Sequence, residues 1–281
     1  MTRADPDRAR TRRSVGVLLA LPMTWLTLIY LVPIALLFVT AFWTTDGFTG
    51  RTIKGFSLEN LKAVVDPANP FLLVAARTLG VAVTVTVLSV MLALPTALFM
   101  ARVASPRWQP LLLAAVLTPL WASYLVKVYS WRVLLSPEGG FLSSVFCASP
   151  GYGWVAVVLV LTYLWFPYMV LPVYVGMQQI PGSHLEASAD LGAHTWRTIR
   201  TIVIPAIKPA LAAGSVFTFS LSLGDYITVE LVGGKEQMLG NVVYDSFGTN
   251  LPFAAAVASL TVIIMIGYLL AVRRTGALSN L

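Results

Sequence analysis

Residues 75–101 read AARTLGVAVTVTVLSVMLALPTALFMA and contain one charged side chain, Arg77. A helix needs about 20 consecutive apolar residues to cross the hydrocarbon core of a bilayer, and this stretch is long enough. Inside a bilayer every backbone N–H and C=O group must be paired within the protein. No ten-residue segment of the chain alternates polar and apolar residues as barrel strands do. The stretch therefore predicts a transmembrane α-helix.

Five further segments have the length and composition of a membrane-crossing helix. Together with 75–101 they predict an all-α, polytopic integral membrane protein of six transmembrane helices. The first segment is too long for the apolar region of a signal peptide and lacks a clear small-x-small cleavage site, so we expect it to be retained. We expect a basic tail over 1–14 and a single transmembrane domain over 15–281. The predicted spans are about 15–43, 75–101, 109–130, 153–177, 204–224 and 253–272.

The composition supports a lipid environment and argues against nucleic acid. Hydrophobic residues make up 57% of the 281 residues and charged residues only 11%, whereas soluble domains carry roughly 25% charged residues. A soluble fold of this size has too little interior to hide so much apolar surface. The net charge of +7 comes from short clusters between apolar runs. It forms no basic face and accompanies no nucleic-acid motif.

Lysine and arginine are distributed unevenly between the two sets of connections. The connections on one side contain Arg51, Lys54, Lys62 and Lys235. Because positive charges are retained in the cytoplasm, the richer side predicts cytoplasmic termini and a multi-pass protein of the cytoplasmic, or inner, cell membrane. Twelve positive charges fall on the richer side: Arg3, Arg8, Arg10, Arg12, Arg13, Arg102, Arg107, Arg197, Arg200, Lys208, Arg273 and Arg274.

The connection between the fourth and fifth spans predicts two short helices. Ser183 and Glu186 have the S-x-x-E spacing of a capping box, and Gly192 suits a C-terminal stop. Thr195 can cap the second helix, and Pro205 marks the entry into the fifth span. We call residues 183–205 the knob. On these residues alone, the knob either inserts into a cleft of a partner or packs as an ordinary cytoplasmic loop.

The same connection carries a spaced motif, with EAS at 186–188, Gly192 after three residues, and IVIP at 202–205 after nine more. It resembles the EAA motif of the permease subunits of ABC importers, which is E-A-A, three residues, G, nine residues, I-x-L-P. Ser188 replaces an alanine and Ile204 replaces the leucine. The resemblance implies coupling helices that dock into an ATPase. The residues that it assigns to ATPase coupling are Glu186, Ala187, Ser188, Gly192, Ile202 and Pro205.

Four other segments are similar to one branch of that family, the spermidine/putrescine-type permeases, and the last of them resembles the first of the two permeases in those systems more than the second. The resemblance implies an importer of polyamines or a related cationic solute. Opines, other amines and metal complexes remain alternatives, since related permeases carry them. The segments are LTPLW at 117–121, LVKVYSW at 125–131, YLWFPYMVLP at 163–172 and GDYITVELVGG at 224–234.

The resemblance also implies the partners. They are a homologous second permease, two ATP-binding cassette subunits and an extracytoplasmic solute-binding protein. ATP and magnesium are then used by the ATPase subunits, and we expect no cofactor in this chain. The sequence agrees with a separate motor, because no G-x-x-x-x-G-K-[ST] loop occurs. The nearest match, Gly233-Gly234-Lys235, lacks the upstream glycine and the following hydroxyl.

Candidates for chemistry within the chain are poor. No H-E-x-x-H or G-x-S-x-G motif occurs. The only two histidines are His184 and His194, and a single cysteine, Cys147, excludes an intrachain disulfide. We expect no catalytic and no metal site. A self-contained secondary carrier is the rival from another class, but such carriers usually have repeated halves and acidic residues near the midplane, and neither is visible.

Charged and aromatic residues cluster at the predicted outer ends of the third and fifth spans. Acidic groups and aromatic faces can pass a multiply charged amine through weak successive contacts. Alternatively, the aromatics form an interfacial belt, and Asp225 or Glu230 only neutralises Lys127 or Arg132. We expect Arg77 to snorkel to the outer interface. The candidate pathway residues are Asp225, Tyr226, Glu230, Trp121, Tyr129 and Trp131.

Overall fold

The computed structural model describes residues 20–137, 140–141 and 149–274 of the chain. The predictions for the tail 1–14 and for Cys147 lie outside these residues. Two short strands, β1 (Thr44–Thr45) and β2 (Thr52–Ile53), pair in antiparallel register, with Thr44 opposite Ile53. The helices are α1 (Ala20–Thr40), α2 (Glu59–Val65), α3 (Phe71–Val103), α4 (Gln109–Trp121), α5 (Tyr124–Leu134), α6 (Trp154–Gln178), α7 (Gly182–Asp190), α8 (Thr195–Ala206), α9 (Lys208–Leu223), α10 (Ile227–Val232), α11 (Leu239–Phe247) and α12 (Leu251–Arg274).

Among the described residues, four helices are long and apolar enough to cross a membrane: α1, α3, α6 and α12. Two bent pairs raise the number to six if each pair counts as one span. The helices α4 and α5 meet at 92°, and α8 and α9 meet at 71°. The structure therefore contains four to six candidate membrane spans within a mostly helical chain.

The two bends differ from the continuous helices predicted over 109–130 and 204–224. At the first bend Ala122 is extended (ψ 144°) and follows Pro119, which cannot donate a helical hydrogen bond. At the second bend, Pro209 lies in the first turn of α9. A proline suits that position, and Ile207, directly before the helix, departs from helical geometry with φ −94° and ψ 7°. Residues 204–206 consequently belong to the end of α8 rather than to the membrane-directed helix.

The helices α3, α6 and α9 pack against one another and form the centre of the bundle. Two glycines permit the close approach of α6 and α9. A Cβ on Gly214 would lie 2.6 Å from Met169 Sδ, and a Cβ on Gly176 would lie 2.8 Å from Ala210 Cβ. Small residues serve the same purpose at other membrane helix interfaces, because association there depends on van der Waals contact between close backbones.

The two ends of this bundle have different structures, and we name them by their elements. The capped end consists of the β-hairpin, α2, α5, α10 and α11. The knob end consists of α7 and α8. Each end has its own buried cluster: Val81, Val85, Val128, Val160 and Val229 lie in the first, and Ala97, Met100, Val173, Met177 and Val203 lie in the second. The helix α3 contributes to both clusters and so connects the two ends.

The helix α1 lies at the edge of the bundle. It packs on α12, and none of the residues in its most apolar window is buried by the rest of the chain. Its large apolar side chains include Leu21 at 81% exposure and Trp25 at 66%. These side chains therefore face an apolar environment outside this chain.

Candidate functional site

The knob consists of two short helices joined by a glycine turn, as predicted. The helix α7 ends at Asp190, and Gly192 adopts a left-handed conformation with φ of +73°. Its N–H donates to the carbonyl oxygen of Ala189 at 2.8 Å. Glycine accepts this conformation without the steric penalty of a Cβ. The turn lets α8 fold back beside α7.

The predicted N-caps of these helices are wrong, whereas the predicted stop at Gly192 is confirmed. The helix α7 begins at Gly182, its N-cap is Pro181, and no side chain caps it. Pro181 is extended (φ −60°, ψ 137°), so the helix starts before Ser183 and places that hydroxyl inside the first turn. In the same way α8 begins at Thr195 with His194 as its N-cap. Glu186 consequently forms no capping box and lies exposed on the knob surface.

A side-chain hydrogen bond joins the two knob helices. The hydroxyls of Ser188 and Thr198 lie 2.8 Å apart, and Ser188 is 7% exposed. The N–H of Ala193 donates to the carbonyl oxygen of Ser188 at 3.1 Å. Ser188 stands where the resembling motif has alanine. Its hydroxyl therefore provides a bond between α7 and α8 that an alanine at this position could not form.

The face of the knob that points away from the bundle is partly apolar. Ala187 is exposed, and Leu191 and Trp196 are 87% and 69% exposed. Sequence reasoning did not single out Leu191, and it identified Trp196 only as an apolar position of the second knob helix. A groove of about 470 Å³ crosses this face and is lined by His184, Ala187, Ser188, Leu191, Ala193, Arg197, Thr201 and Ile202.

The base of the knob is packed into the bundle. Val203 is 3% exposed and Ile180 is 6% exposed. Both lie in the buried cluster that contains Met100 of α3 and Met177 of α6. Leu185 of α7 packs against the same cluster. The base of the knob is therefore in direct contact with the ends of α3 and α6.

At the capped end, Asp225 is buried and fully engaged. The Tyr124 hydroxyl donates to Asp225 Oδ2 at 2.5 Å and lies 2.8 Å from Thr228 Oγ1. The backbone N–H of Thr228 donates to Asp225 Oδ1 at 2.8 Å. Asp225 is 7% exposed. Its carboxyl group thus ties α5 to the start of α10, and sequence reasoning missed Tyr124 and Thr228 as its partners.

Neither Asp225 nor Glu230 forms an ion pair with Lys127 or Arg132 in the part of the chain that the structure describes. The one ion pair found there joins Arg77 Nη1 to Glu236 Oε2 at 3.8 Å. Both side chains are partly exposed, and such pairs add little stability. The alternative in which Asp225 or Glu230 neutralises a nearby cation of the third span is therefore not supported by the geometry.

The remaining pathway candidates do not converge on one site. The Tyr226 ring stacks on Tyr244 at 4.8 Å between centroids, beside a cavity of about 420 Å³. Trp131 packs against Tyr163 at 5.4 Å and contacts the buried cluster of the capped end. Trp121 is 92% exposed and Tyr129 is 51% exposed. Glu230 is exposed as well.

The chain matches known transport proteins over most of its length. Residues 83–274 match the family described as "Binding-protein-dependent transport system inner membrane component". The inner membrane ABC transporter permease protein YdcU of Escherichia coli K12 is 39% identical over 94% of this chain and 90% of its own. The spermidine/putrescine transport system permease protein PotB of Haemophilus influenzae is 28% identical over 88% of this chain and 89% of its own.

A solved structure shares the fold. A chain of a bacterial ABC transporter involved in the import of the acidic polysaccharide alginate superimposes with a TM-score of 0.66, over 95% of this chain and 98% of its own. The sequence identity is 16%, so this similarity concerns the fold rather than the cargo.

Proposed function

This chain belongs to the family of inner membrane components of binding-protein-dependent transport systems, and from that premise we propose that it forms part of a pathway for polyamines. It is a non-catalytic permease subunit of an ABC importer, and ATP is hydrolysed by separate ATPase subunits. It is a multi-pass protein of the inner membrane.

We propose six spans, in which the bent pairs supply the third and fifth, with both termini and the knob in the cytoplasm. The charge distribution supports this orientation. In the sequence, the connections on the knob side and the two terminal tails contain twelve lysines and arginines, more than the connections on the other side. Positive charges are retained on the cytoplasmic side. The capped end then faces the extracytoplasmic solute-binding protein.

We further propose a complex of this chain with a homologous second permease, two ATP-binding cassette subunits and a solute-binding protein. ATP and magnesium bind in the cassette subunits, and this chain needs no cofactor. The solved alginate transporter has been described in complex with a pentasaccharide-bound periplasmic protein. A permease fold shared with that system supports an assembly of the same general kind.

The knob couples this permease to the ATPase in this proposal. The observation that carries it is the combination of an exposed apolar face at Leu191 and Trp196 with a base packed in the bundle at Val203. Closure of the ATPases would move the knob as a rigid body and shift the paired permeases between inward-open and outward-open states. A partner drives such a shift by binding one state more tightly than the other.

The test of coupling is Gly192→Pro in the assembled importer in proteoliposomes. Proline fixes φ near −65° and cannot adopt the observed +73°, so uptake and transport-stimulated ATP hydrolysis should both fall at least tenfold. Gly192→Asn is the matched control, because asparagine tolerates the left-handed conformation, and it should retain both activities within about twofold. Glu186→Ala is measured alongside. Survival of both activities in Gly192→Pro shows that the coupling assignment is wrong.

Polyamine is the cargo that the relatives and the capped end favour. The relative PotB is named for spermidine and putrescine. The exposed rings of Trp121 and Tyr129, the partly exposed ring of Tyr226 and the carboxylate of Glu230 offer a cation several weak contacts. Trp131 and Asp225 belong to the pathway only in a state that opens the capped end, since both are engaged in this structure. An opine, another amine or a metal complex remains the alternative, which the YdcU relative allows.

Uptake measurements distinguish these cargoes. Spermidine or putrescine should bind the cognate solute-binding protein and enter proteoliposomes with the complete importer, in a reaction that requires ATP. Uptake of an opine in place of either amine would select the alternative cargo. Gradient-driven uptake by this purified chain alone would favour a self-contained carrier.

A further inference from the structure

One arginine connects three elements at the knob end. Arg102 lies in a π-helical turn, Phe99–Val103, that ends α3, and the N–H of Ala104 closes this turn on the carbonyl oxygen of Phe99 at 2.8 Å. Arg102 Nη2 donates to the carbonyl oxygens of both Met177 and Ile180. These two carbonyls belong to the last turn of α6 and to the residue before the N-cap of α7.

The Met177 carbonyl lies in the last turn of α6 and also accepts the N–H of Ile180 at 3.3 Å, and Ile180 lies just beyond the end of that helix. The last four C=O groups of an α-helix have no N–H inside the helix, and they carry the negative end of its dipole. A guanidinium satisfies them with charge-assisted hydrogen bonds. Because Pro181 follows Ile180 and removes one backbone donor, the cation at Arg102 serves as the cap at this joint.

The space around the joint is not filled. A cavity of about 310 Å³ lies between the end of α3, the end of α6 and both knob helices. Leu98, Val103, Leu185 and Ile199 line it together with Arg102. Ile199–Val203 is itself a π-helical turn, so two irregular turns face this cavity. The polar bridge from Arg102 therefore supplements the apolar contacts between α3 and the knob at a point where packing is incomplete.

We propose that Arg102 is a positioning residue that links movement of the knob to α3, and thereby to the centre of the bundle. The proposal rests on the coupling role of the knob. Removal of the side chain leaves the exposed face of the knob intact, so the ATPase still binds. Without Arg102, movement of the knob displaces the membrane-spanning helices less. The number of solute molecules transported per ATP hydrolysed therefore falls.

The test is Arg102→Ala in the complete importer, with co-purification of the ATPase, ATP hydrolysis and uptake measured on the same proteoliposomes. ATPase binding and basal hydrolysis should stay within about twofold of the unsubstituted importer, and uptake per ATP should fall at least fivefold. Arg107→Ala is the matched control, because Arg107 is exposed and close in sequence. It should leave uptake per ATP unchanged.

Two further variants keep the proposal falsifiable if Arg102→Ala does not assemble. Lysine retains the charge but lacks the planar fork, and glutamine retains a donor without the charge. Uptake per ATP should decrease from arginine to lysine to glutamine. If the assembled Arg102→Lys and Arg102→Gln importers both have the same uptake per ATP as the unsubstituted importer, the proposal is overturned.

A separate measurement distinguishes this proposal from the one on which it rests. Crosslinking from position 191 of the knob reports contact with the ATPase. If position 191 of the unsubstituted importer forms no crosslink to the ATPase, the coupling role itself is refuted. Retained contact, together with an unchanged uptake per ATP in Arg102→Ala, would refute only the role of Arg102.

Discussion

The capped end and the knob end are held together in different ways. At the capped end, hydrogen bonds that involve side chains join segments far apart in sequence: Tyr124 to Asp225, the Leu239 N–H to Thr78 Oγ1, and Thr45 to Asn250. At the knob end, the bond between Ser188 and Thr198 joins residues only ten positions apart. Arg102 supplies the longer-range polar contacts of that end.

The difference indicates which end is complete within this chain. At the capped end the buried side chains of Asp225, Thr228 and Asn241 form internal bonds, and breaking one of these leaves a desolvated group unpaired. The knob leaves apolar side chains such as Leu191 and Trp196 in contact with solvent. We infer that the capped end acts as a preassembled cover and that the knob completes its contacts on a partner. Substitutions at the two ends should therefore affect different measurements.

The largest expected effect is on partner binding at the knob. Leu191→Asp places a charge on a side chain that is 87% exposed, so the fold of the chain should be retained. Affinity for the ATPase should fall at least tenfold, which corresponds to about 1.4 kcal/mol, because an unpaired charge is costly to bury in the contact. Titration of the purified ATPase into the permease pair measures this affinity.

The control for that substitution lies at the other end. Phe48→Asp changes another fully exposed apolar residue, 104% exposed in the turn of the β-hairpin. ATPase affinity should not change. An equal loss of affinity in both variants would show that added charge, rather than the knob surface, weakens the complex, and the contrast between the two ends would no longer hold.

The second effect is on stability at the capped end. Tyr124→Phe removes the hydroxyl that donates to Asp225, and a buried acceptor without a donor costs about 1–3 kcal/mol. Thermal unfolding of the permease should begin at a lower temperature, with ATPase affinity unchanged. Tyr129→Phe is the control, because Tyr129 lies on the same helix and is 51% exposed, and it should leave the unfolding temperature unchanged.

Local sequence patterns predicted the knob better than the capped end. The knob motif lies within twenty residues, and its glycine turn depends on one residue, Gly192, whose conformational freedom is intrinsic. The capping box failed because the geometry of Pro181, rather than the identity of Ser183, decides where α7 begins. Both signals are local, so the error was confined to the start of the helix.

The capped end could not be predicted in the same way. The spacing of residues around Asp225 does not reveal that Tyr124, 101 positions earlier, donates to it. That contact depends on the 92° bend between α4 and α5. Pro119 indicates that a bend is possible, but the angle is set by packing of α5 on α10 and α6. Long-range packing therefore decided which pathway candidates are exposed and which are engaged.

A third substitution sharpens the comparison within a single helix. The Leu239 N–H donates to Thr78 Oγ1 at 3.0 Å and fastens α11 to α3. Thr78→Val removes this acceptor and should lower the free energy of unfolding by about 1–2 kcal/mol. Chemical denaturation in detergent measures the change.

Thr84→Val is the matched control for Thr78→Val. Thr84 is exposed on α3, and its hydroxyl bonds only to the Gly80 carbonyl oxygen one turn earlier. Its replacement should change the free energy of unfolding by less than about 0.5 kcal/mol. If both variants lose the same stability, the loss reflects the α3 helix itself, and the bond from Thr78 to α11 does not fasten the capped end.

The smallest effect concerns a polar bond at the capped end that is not buried. Asp46 Oδ1 accepts the backbone N–H groups of Thr49 at 3.0 Å and Phe48 at 2.8 Å. These two bonds lower the pKa of Asp46 from its ordinary value of 3.8. A carboxylate whose folded-state pKa is depressed stabilises its turn above the ordinary pKa, and this stabilisation is lost as the pH falls through the lower folded-state pKa. The amide resonances of Phe48 and Thr49 should shift with a midpoint below pH 3.8 and should not titrate in Asp46→Asn. A midpoint at or above the ordinary value would show that even this exposed bond is absent.

The free energy of global unfolding should not change in Asp46→Asn, because the carboxyl group is solvated in both the folded and the unfolded state. This result would distinguish a bond that shapes a turn from the buried bonds that hold the capped end together.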